Sequence, residues 1–194
     1  MSTFAAGFVD PSHDSQRVFR AVLDAFSHPG RIVEVPAETE TPGALSIAMT
    51  AFLLTLVDRE TPLWLAPEFD SAEVRDFVRF HAGAPIVADA ASALFAFATP
   101  TREPMLDGLA IGTDPYPDRS ATLVIEVPSL RGGPTRTLRG PGIDGGTTAG
   151  IAGLADSFWS EWTANRALFP CGVDVVFAAG NELLALPRSL AVEG

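Results

Sequence analysis

Apolar residues recur every three to four positions between Asp10 and Pro29, and this spacing predicts the first helix of the chain. Asp10 is a favourable N-cap, Pro11 suits the first helical position, and Pro29-Gly30 ends the helix. Asp14 lies in the first turn, where a negative charge suits the helix dipole. The predicted apolar stripe consists of Val18, Phe19, Val22, Ala25 and Phe26.

Three further helices and several short strands are predicted before residue 112. Residues 44–57 are the most apolar stretch of the chain, and they predict a buried helix over about 44–58, because the run is shorter than the ~20 residues of a membrane span. Residues 71–81 predict an amphipathic helix capped by Ser71, with His81 half-buried on its apolar face. A short helix is predicted over 101–111. Short apolar runs predict buried strands at 31–35, 63–66, 85–88 and 93–98.

The second half of the chain is rich in predicted strands. Residues 120–127 predict a strand, and 135–139 are expected to pair with it as a hairpin. The glycine-rich residues 140–150 predict a loop, and 151–165 predict a helix with Leu154, Phe158 and Trp162 on one face. A last hairpin, with strands at 173–177 and 183–186, is predicted around Gly180-Asn181.

This order of elements predicts an α/β fold with a mixed sheet and helices on both faces. Because the chain has 194 residues and no long linker, a single domain over 1–194 is expected. The hydrophobic fraction of 47% and the charged fraction of 19% indicate an apolar contact surface for other subunits.

Composition excludes several classes of function. The net charge of −11, with no run of cationic residues, argues against nucleic-acid binding. The lone Cys171 is compatible with a reducing cytoplasm, and the N-terminal residues do not match a signal peptide. We therefore expect a cytoplasmic protein that binds neither nucleic acid nor membrane.

The chain contains no lysine, since all 13 cationic residues are arginine. A pyridoxal phosphate enzyme forms its internal Schiff base on a lysine, and a Walker A loop places a lysine on the phosphates. Neither chemistry is open to this chain by its usual route.

No group of residues forms a catalytic or metal-binding signature. His13, Asp14 and Ser15 are consecutive, so in a helix they point in different directions, and a capping role is the better interpretation. The three histidines lack metal-ligand spacing, and one cysteine is too few for an iron–sulfur cluster. Cys171, in a Pro-Cys-Gly turn that we expect to be exposed, is either a nucleophile or, as we favour, a structural residue. We predict no catalytic, cofactor-binding or metal-binding residue.

The candidate binding residues are Arg139, Gly140 and Gly142. Glycines after an arginine can expose backbone N–H groups to an anion, although the spacing is not a dinucleotide fingerprint. A tight turn is the simpler alternative, and the sequence leaves both open.

Three stretches resemble the PhnH family, which belongs to the bacterial carbon–phosphorus lyase system for phosphonates. They are the residues GFVDPSHDSQRVFRAVLDAFSHPGRI at 7–32, LRGPGI at 138–143, and FPCGVDVVFAAGNELLALPRS at 169–189. Together they extend over nearly the whole chain and identify a family, not a mechanism.

The resemblance implies a fold similar to the large domain of pyridoxal phosphate-dependent transferases. It also implies assembly with the G, I and J subunits of the core complex and with the ATP-binding-cassette partners K and L. The G, H, I and L proteins of that system together form ribose 1-alkylphosphonate 5-triphosphate from ATP and alkylphosphonate. We therefore predict an assembly and support role without cofactor, and a homodimer when the chain is isolated. The alternative is a catalytic or substrate-binding subunit that holds phosphate or phosphonate groups.

Overall fold

Helices and strands alternate through the first half of the chain, and short strands dominate the second half. The computed structural model describes residues 5–101 and 105–194. Its α-helices are α1 (Pro11–Ser27), α2 (Ile47–Leu56), α3 (Ala72–His81) and α4 (Asp156–Arg166). Its strands are β1 (Val33–Glu34), β2 (Leu63–Leu65), β3 (Ile86–Val87), β4 (Phe95–Ala98), β5 (Ile111–Thr113), β6 (Tyr116–Ser120), β7 (Thr122–Glu126), β8 (Arg136–Arg139), β9 (Thr147–Ala149), β10 (Asp174–Ala179), β11 (Glu182–Leu186) and β12 (Ala191–Glu193).

The central sheet has seven strands in the order β1-β11-β10-β7-β4-β2-β3. The five strands from β10 to β3 run parallel to their neighbours, whereas β11 and β1 are antiparallel. The central strand β7 has three consecutive apolar residues, Leu123, Val124 and Ile125, which are fully buried, as expected for a parallel strand covered on both faces.

Helices cover both faces of this sheet, which confirms the predicted mixed α/β architecture. On one face, the Phe52 ring of α2 packs edge-on against Phe95 and Phe97 of β4, with ring centroids 5.6 and 6.3 Å apart. On the other face, Phe158 of α4 packs edge-on against Phe177 of β10 at 5.6 Å. Each helix therefore buries aromatic side chains against a different set of alternating strand residues.

The predicted starts of α1 and α3 are confirmed, with one error in the predicted apolar stripe of α1. The Asp10 carboxylate accepts the His13 N–H at 3.1 Å, and the Ser71 hydroxyl accepts the Val74 N–H at 3.2 Å. Phe19 is 42% exposed, because the buried face of α1 is formed by Val18, Ala21, Val22 and Ala25, and Phe19 lies to one side of that face. Within the described residues, no helix combines the length and the apolar character needed to cross a bilayer.

Two predictions for the middle of the chain are wrong. Residues 102–104 of the expected helix lie outside the described residues, 105–110 form turns, and Ile111 begins β5, which pairs with β6. The left-handed φ angle of +75° at Gly108 is unfavourable for a helix and suits a turn. The expected hairpin between 120–127 and 135–139 is also absent, since β7 lies between β4 and β10 while β8 pairs with β9 and β12.

The last third of the chain differs from expectation at three places. Part of the expected glycine-rich loop forms β9, and the short strand β12 has no counterpart in the sequence prediction. Helix α4 begins at Asp156 rather than near residue 151, because Gly153 has a left-handed φ of +85° and Ala152 forms a β-bridge with Ser129. Leu154 therefore lies outside the helix, whereas Phe158 and Trp162 are buried as predicted. The terminal β10–β11 hairpin is confirmed.

Candidate functional site

The glycine-rich loop after β8 packs tightly against the end of α1. A Cβ at Gly142 would lie 2.3 Å from the Ser27 carbonyl oxygen, and this residue has a left-handed φ of +83°. A Cβ at Gly140 would lie 2.8 Å from a methyl carbon of Leu190. Gly142 therefore requires glycine for close packing against the backbone, and Gly140 for its φ of +149°, which supports the turn interpretation of this motif.

The Arg139 guanidinium forms hydrogen bonds within the protein. Its Nε lies 3.2 Å from Oε2 of Glu193 on β12, and its Nη1 donates to the Gly145 carbonyl at 2.9 Å. These contacts hold the loop between β8 and β9 against the neighbouring strand. The guanidinium thereby stabilises the three-stranded sheet of β12, β8 and β9.

A surface groove of about 430 Å³ lies between the end of α1 and this loop. Gly142 lines it together with His28, Arg31, Asp144 and Thr147. Arg139 and Gly140 are not among its lining residues, so the structure brings only one of the three predicted residues into the groove. The His28 and Arg31 side chains of the groove both contact Asp24, from His28 Nδ1 at 3.0 Å and from Arg31 Nη1 at 3.3 Å.

Each of the three histidines contacts another group of the protein. His13 Nδ1 lies 3.0 Å from the Asp10 carboxylate, and the half-buried His81 Nε2 donates to the Ala5 carbonyl at 3.0 Å. Asp14, which follows His13, instead accepts from the Asp10 N–H and from Arg17. In the ranges 5–101 and 105–194, no three His, Cys, Asp or Glu side chains are placed to hold a metal ion.

Cys171 is buried, so the expected exposed turn is wrong at this residue. Its side chain lies at a bend of the chain directly before β10, and its Sγ is 3.9 Å from Oδ1 of Asp114. The thiol has no histidine or arginine partner among its described hydrogen bonds and ion pairs. This environment favours a small buried side chain over a nucleophile.

We expect Cys171→Ser to lower the free energy of unfolding by about 1 kcal/mol and to leave growth on a phosphonate intact. Denaturant unfolding and growth of a complemented strain are the two measurements. Lost growth at a normal protein level would show that the thiol takes part in chemistry.

The structure singles out a residue that the sequence analysis did not, Glu126 at the carboxyl end of β7. The Ser46 hydroxyl, which caps α2, donates to Glu126 Oε2 at 2.6 Å, and the Gly180 N–H also donates to this carboxylate. Burial outweighs these hydrogen bonds and raises the pKa of Glu126 to about 7. The available sequence signal was a lone glutamate in the apolar run LVIEVP.

We expect Glu126→Gln to be more stable than the wild type at pH 8 by about 1–2 kcal/mol, after allowance for the solvent that reaches the carboxylate. A carboxyl group whose pKa is raised on folding stabilises the fold fully below its unfolded pKa. That contribution is lost as the pH rises from about 4.5 through about 7. The difference between variant and wild type should therefore vanish near pH 5.

Unfolding midpoints measured from pH 5 to pH 8 test this expectation, with Glu60→Gln on the exposed turn after α2 as the control. The same pH profile for Glu126→Gln as for the wild type would contradict it.

A second polar cluster lies at the carboxyl edge of the sheet, between β2 and β4. Glu68 Oε1 accepts from the Thr99 and Thr101 hydroxyls at 2.9 and 2.6 Å, and the Thr101 bond contributes most to a lowered pKa of Glu68. The chain passes from β2 to β3 on one side and later to β4 on the other, and such switch points often hold ligands. Among the described residues, this cluster consists of one carboxylate and two hydroxyl groups.

Comparison with known proteins gives a match to one protein family and to two similar proteins. A model of the family described as "Bacterial phosphonate metabolism protein (PhnH)" matches residues 6–193. The chain is 40% identical over 191 residues to "Alpha-D-ribose 1-methylphosphonate 5-triphosphate synthase subunit PhnH" of Rhizobium meliloti (strain 1021), covering 98% of this chain and 96% of the relative. It is 32% identical over 178 residues to "Putative C-P lyase subunit protein HtxG" of Stutzerimonas stutzeri, covering 90% of this chain and 83% of the relative.

The match includes all three stretches on which the resemblance was based, and it extends through the strands and helices between them. The chain belongs to the PhnH family of bacterial phosphonate metabolism proteins.

Proposed function

We propose that this chain is a subunit of the carbon–phosphorus lyase system. In that system it supports the formation of α-D-ribose 1-methylphosphonate 5-triphosphate from ATP and methylphosphonate. The observation that carries this proposal is the 40% identity to a named subunit of that synthase over nearly the full length of both chains.

The proposed contribution is assembly rather than chemistry. The candidate residue Arg139 forms an ion pair with Glu193, His13 and His81 contact Asp10 and the Ala5 carbonyl, and Cys171 is buried. Several large apolar side chains are nevertheless exposed, among them Phe19, Leu168 and Phe169. Exposed apolar surface beside few reactive groups supports a role in contacts with other subunits, for which we propose the G, I and J subunits and the partners K and L.

Complementation tests this function directly. The gene of the Rhizobium meliloti relative is deleted, and this chain is expressed in its place in medium with methylphosphonate as the only phosphorus source. We expect growth to be restored, with growth on inorganic phosphate as the control. A soluble, folded chain that fails to restore growth would contradict the proposal.

We further propose that the isolated chain is a cytoplasmic homodimer. The support is its high apolar fraction and the exposed Phe19 and Leu23 on one side of α1. A stable contact would bury at least ~1,200 Å² in total. Light scattering at high micromolar concentration should give twice the mass of the chain, and a monomer there would contradict this part of the proposal.

A second candidate function, holding a phosphate or phosphonate group, rests on the groove that His28, Arg31 and Gly142 line. Saturable binding of ATP or methylphosphonate by the purified chain, weakened by Arg31→Ala, would favour it. The absence of binding at millimolar ligand would leave the assembly role as the better explanation.

We also propose that the fold is related to the large domain of pyridoxal phosphate-dependent transferases. The mixed sheet covered on both faces is compatible with it. The residues do not fit the cofactor, because no lysine is present to form the internal Schiff base.

A further inference from the structure

Four exposed large apolar side chains lie on two segments that meet near the C-terminal end of α4. Leu168 and Phe169 follow the helix and are 45% and 61% exposed, while Ile111 and Tyr116 of the β5–β6 hairpin are 40% and 51% exposed. The Gly172 N–H donates to the Ile111 carbonyl at 2.8 Å, which joins the two segments. We call these four side chains the α4 patch; two of them, Ile111 and Leu168, line the same groove.

The α4 patch borders an apolar groove of about 430 Å³. Leu106 and Leu109 form its buried floor, Ile111 and Leu168 form its edges, and Asn165 lies at its side. Asn165 is itself buried and holds the segment before β10, donating to the Val173 carbonyl at 2.9 Å and accepting the Val173 N–H at 2.7 Å. The groove is thus formed on a fixed backbone, and a bound segment would not have to order it.

The charge of the groove is negative. Asp107 and Glu161 line it, and no cation does among the described residues. Asp114 lies in the adjacent β5–β6 hairpin. The Arg119 guanidinium of the same hairpin lies 4.1 Å from the centre of the Tyr116 ring. Together with the net charge of −11, these carboxylates favour a cationic partner.

This charge separates the possible occupants. A symmetric contact between two copies would bring Asp107 and Glu161 of one copy towards the same carboxylates of the other, which costs free energy. Nucleic acid and anionic lipid surfaces are repelled for the same reason. A protein segment with apolar side chains for the groove and arginine or lysine beside them satisfies both features.

We propose that the groove and the α4 patch bind a cationic segment with apolar anchor residues from another subunit of the complex. This inference rests on the proposed function, since it assigns the surface through which the chain joins that assembly. Apolar anchors in a pocket with a charged rim are the usual pattern of residues that dominate binding at protein interfaces.

The test uses the full chain and measures its affinity for the co-expressed G, I and J subunits by quantitative pull-down and interferometry. Leu168→Ala combined with Phe169→Ala is expected to weaken binding at least tenfold. The matched control is Val9→Ala combined with Phe80→Ala, which also removes two exposed apolar side chains and should bind within twofold of the wild type. Because all four side chains are exposed, the circular dichroism spectra and melting temperatures should remain unchanged.

A pair of variants tests the charge of the partner. Leu168→Lys and Leu168→Glu remove the same apolar side chain, but only the lysine repels a cationic segment, so it should bind several-fold more weakly than the glutamate. Equal affinities for the two variants would overturn the cationic part of the proposal.

The outcomes separate this inference from the proposed function. Normal binding by the Leu168/Phe169 variant, or a greater loss in the Val9/Phe80 control, would overturn the groove as the docking site and leave the subunit role intact. If the wild-type chain recovers no subunit, both proposals fail. A loss of self-association in the groove variant, with subunit binding retained, would assign the surface to a second copy and also overturn the inference.

Discussion

Replacing Arg188 by alanine is expected to lower the free energy of unfolding by about 3 kcal/mol, the low end for a buried ion pair that loses one partner. The Arg188 and Asp174 side chains are only 16% and 20% exposed. Arg188 donates to both carboxylate oxygens of Asp174 at the start of β10, and its Nη1 donates to the Pro117 carbonyl at 2.8 Å. The variant leaves both the carboxylate and this carbonyl without the guanidinium.

Thermal unfolding should show this loss as a fall in melting temperature of about 6–12 °C for a chain of this size. Arg79→Ala is the matched control, because Arg79 lies 4.0 Å from Asp76 in an exposed ion pair. It should cost less than about 1 kcal/mol. Equal losses in the two variants would show that the Arg188 contacts contribute no more than a surface ion pair. Arg188→Met combined with Asp174→Asn should regain part of the loss, since no buried charge is left unpaired.

Trp162→Ala is expected to cost about 3–5 kcal/mol, the range for removing a fully buried aromatic side chain. Trp162 has no exposed surface, stacks on Phe158 at 6.4 Å between centroids, and donates from Nε1 to the Leu190 carbonyl at 3.1 Å. It therefore joins α4 to the segment that leads into β12. Trp162→Phe retains most of the apolar contact but leaves the carbonyl unpaired, so its cost should be smaller.

Urea unfolding followed by circular dichroism measures both changes as shifts in the midpoint. Trp159→Ala on the same helix is the control, because the Trp159 side chain is only partly buried and should cost less. A Trp162→Ala variant as stable as Trp159→Ala would contradict the proposed role of Trp162 in joining the helix to the C-terminal segment.

The family and most of the regular elements of this chain were predictable from its sequence. Helices α1 and α3 begin where Asp10 and Ser71 supply a side-chain acceptor, and such caps act over three residues. The β10–β11 hairpin was predictable for the same reason, since the Gly180-Asn181 turn lies between two apolar runs. The predicted binding residues were recognisable only as a turn or an anion site, and the structure supports the turn at Gly140 and Gly142.

Strand pairing and the partners of charged side chains were decided by the tertiary structure. Local spacing favoured a hairpin between β7 and β8, yet β7 is apolar on both faces and is buried between β4 and β10. The raised pKa of Glu126 depends on its burial in the folded chain, and its hydrogen-bond donor Ser46 lies 80 positions away. The ion-pair partner of Arg139, Glu193, lies 54 positions away. The sequence by itself determined the caps, turns and apolar periodicity, because those interactions involve residues a few positions apart. Only the folded chain determined the sheet order, the buried ion pair and the groove beside α4, because their free energy comes from contacts between distant segments.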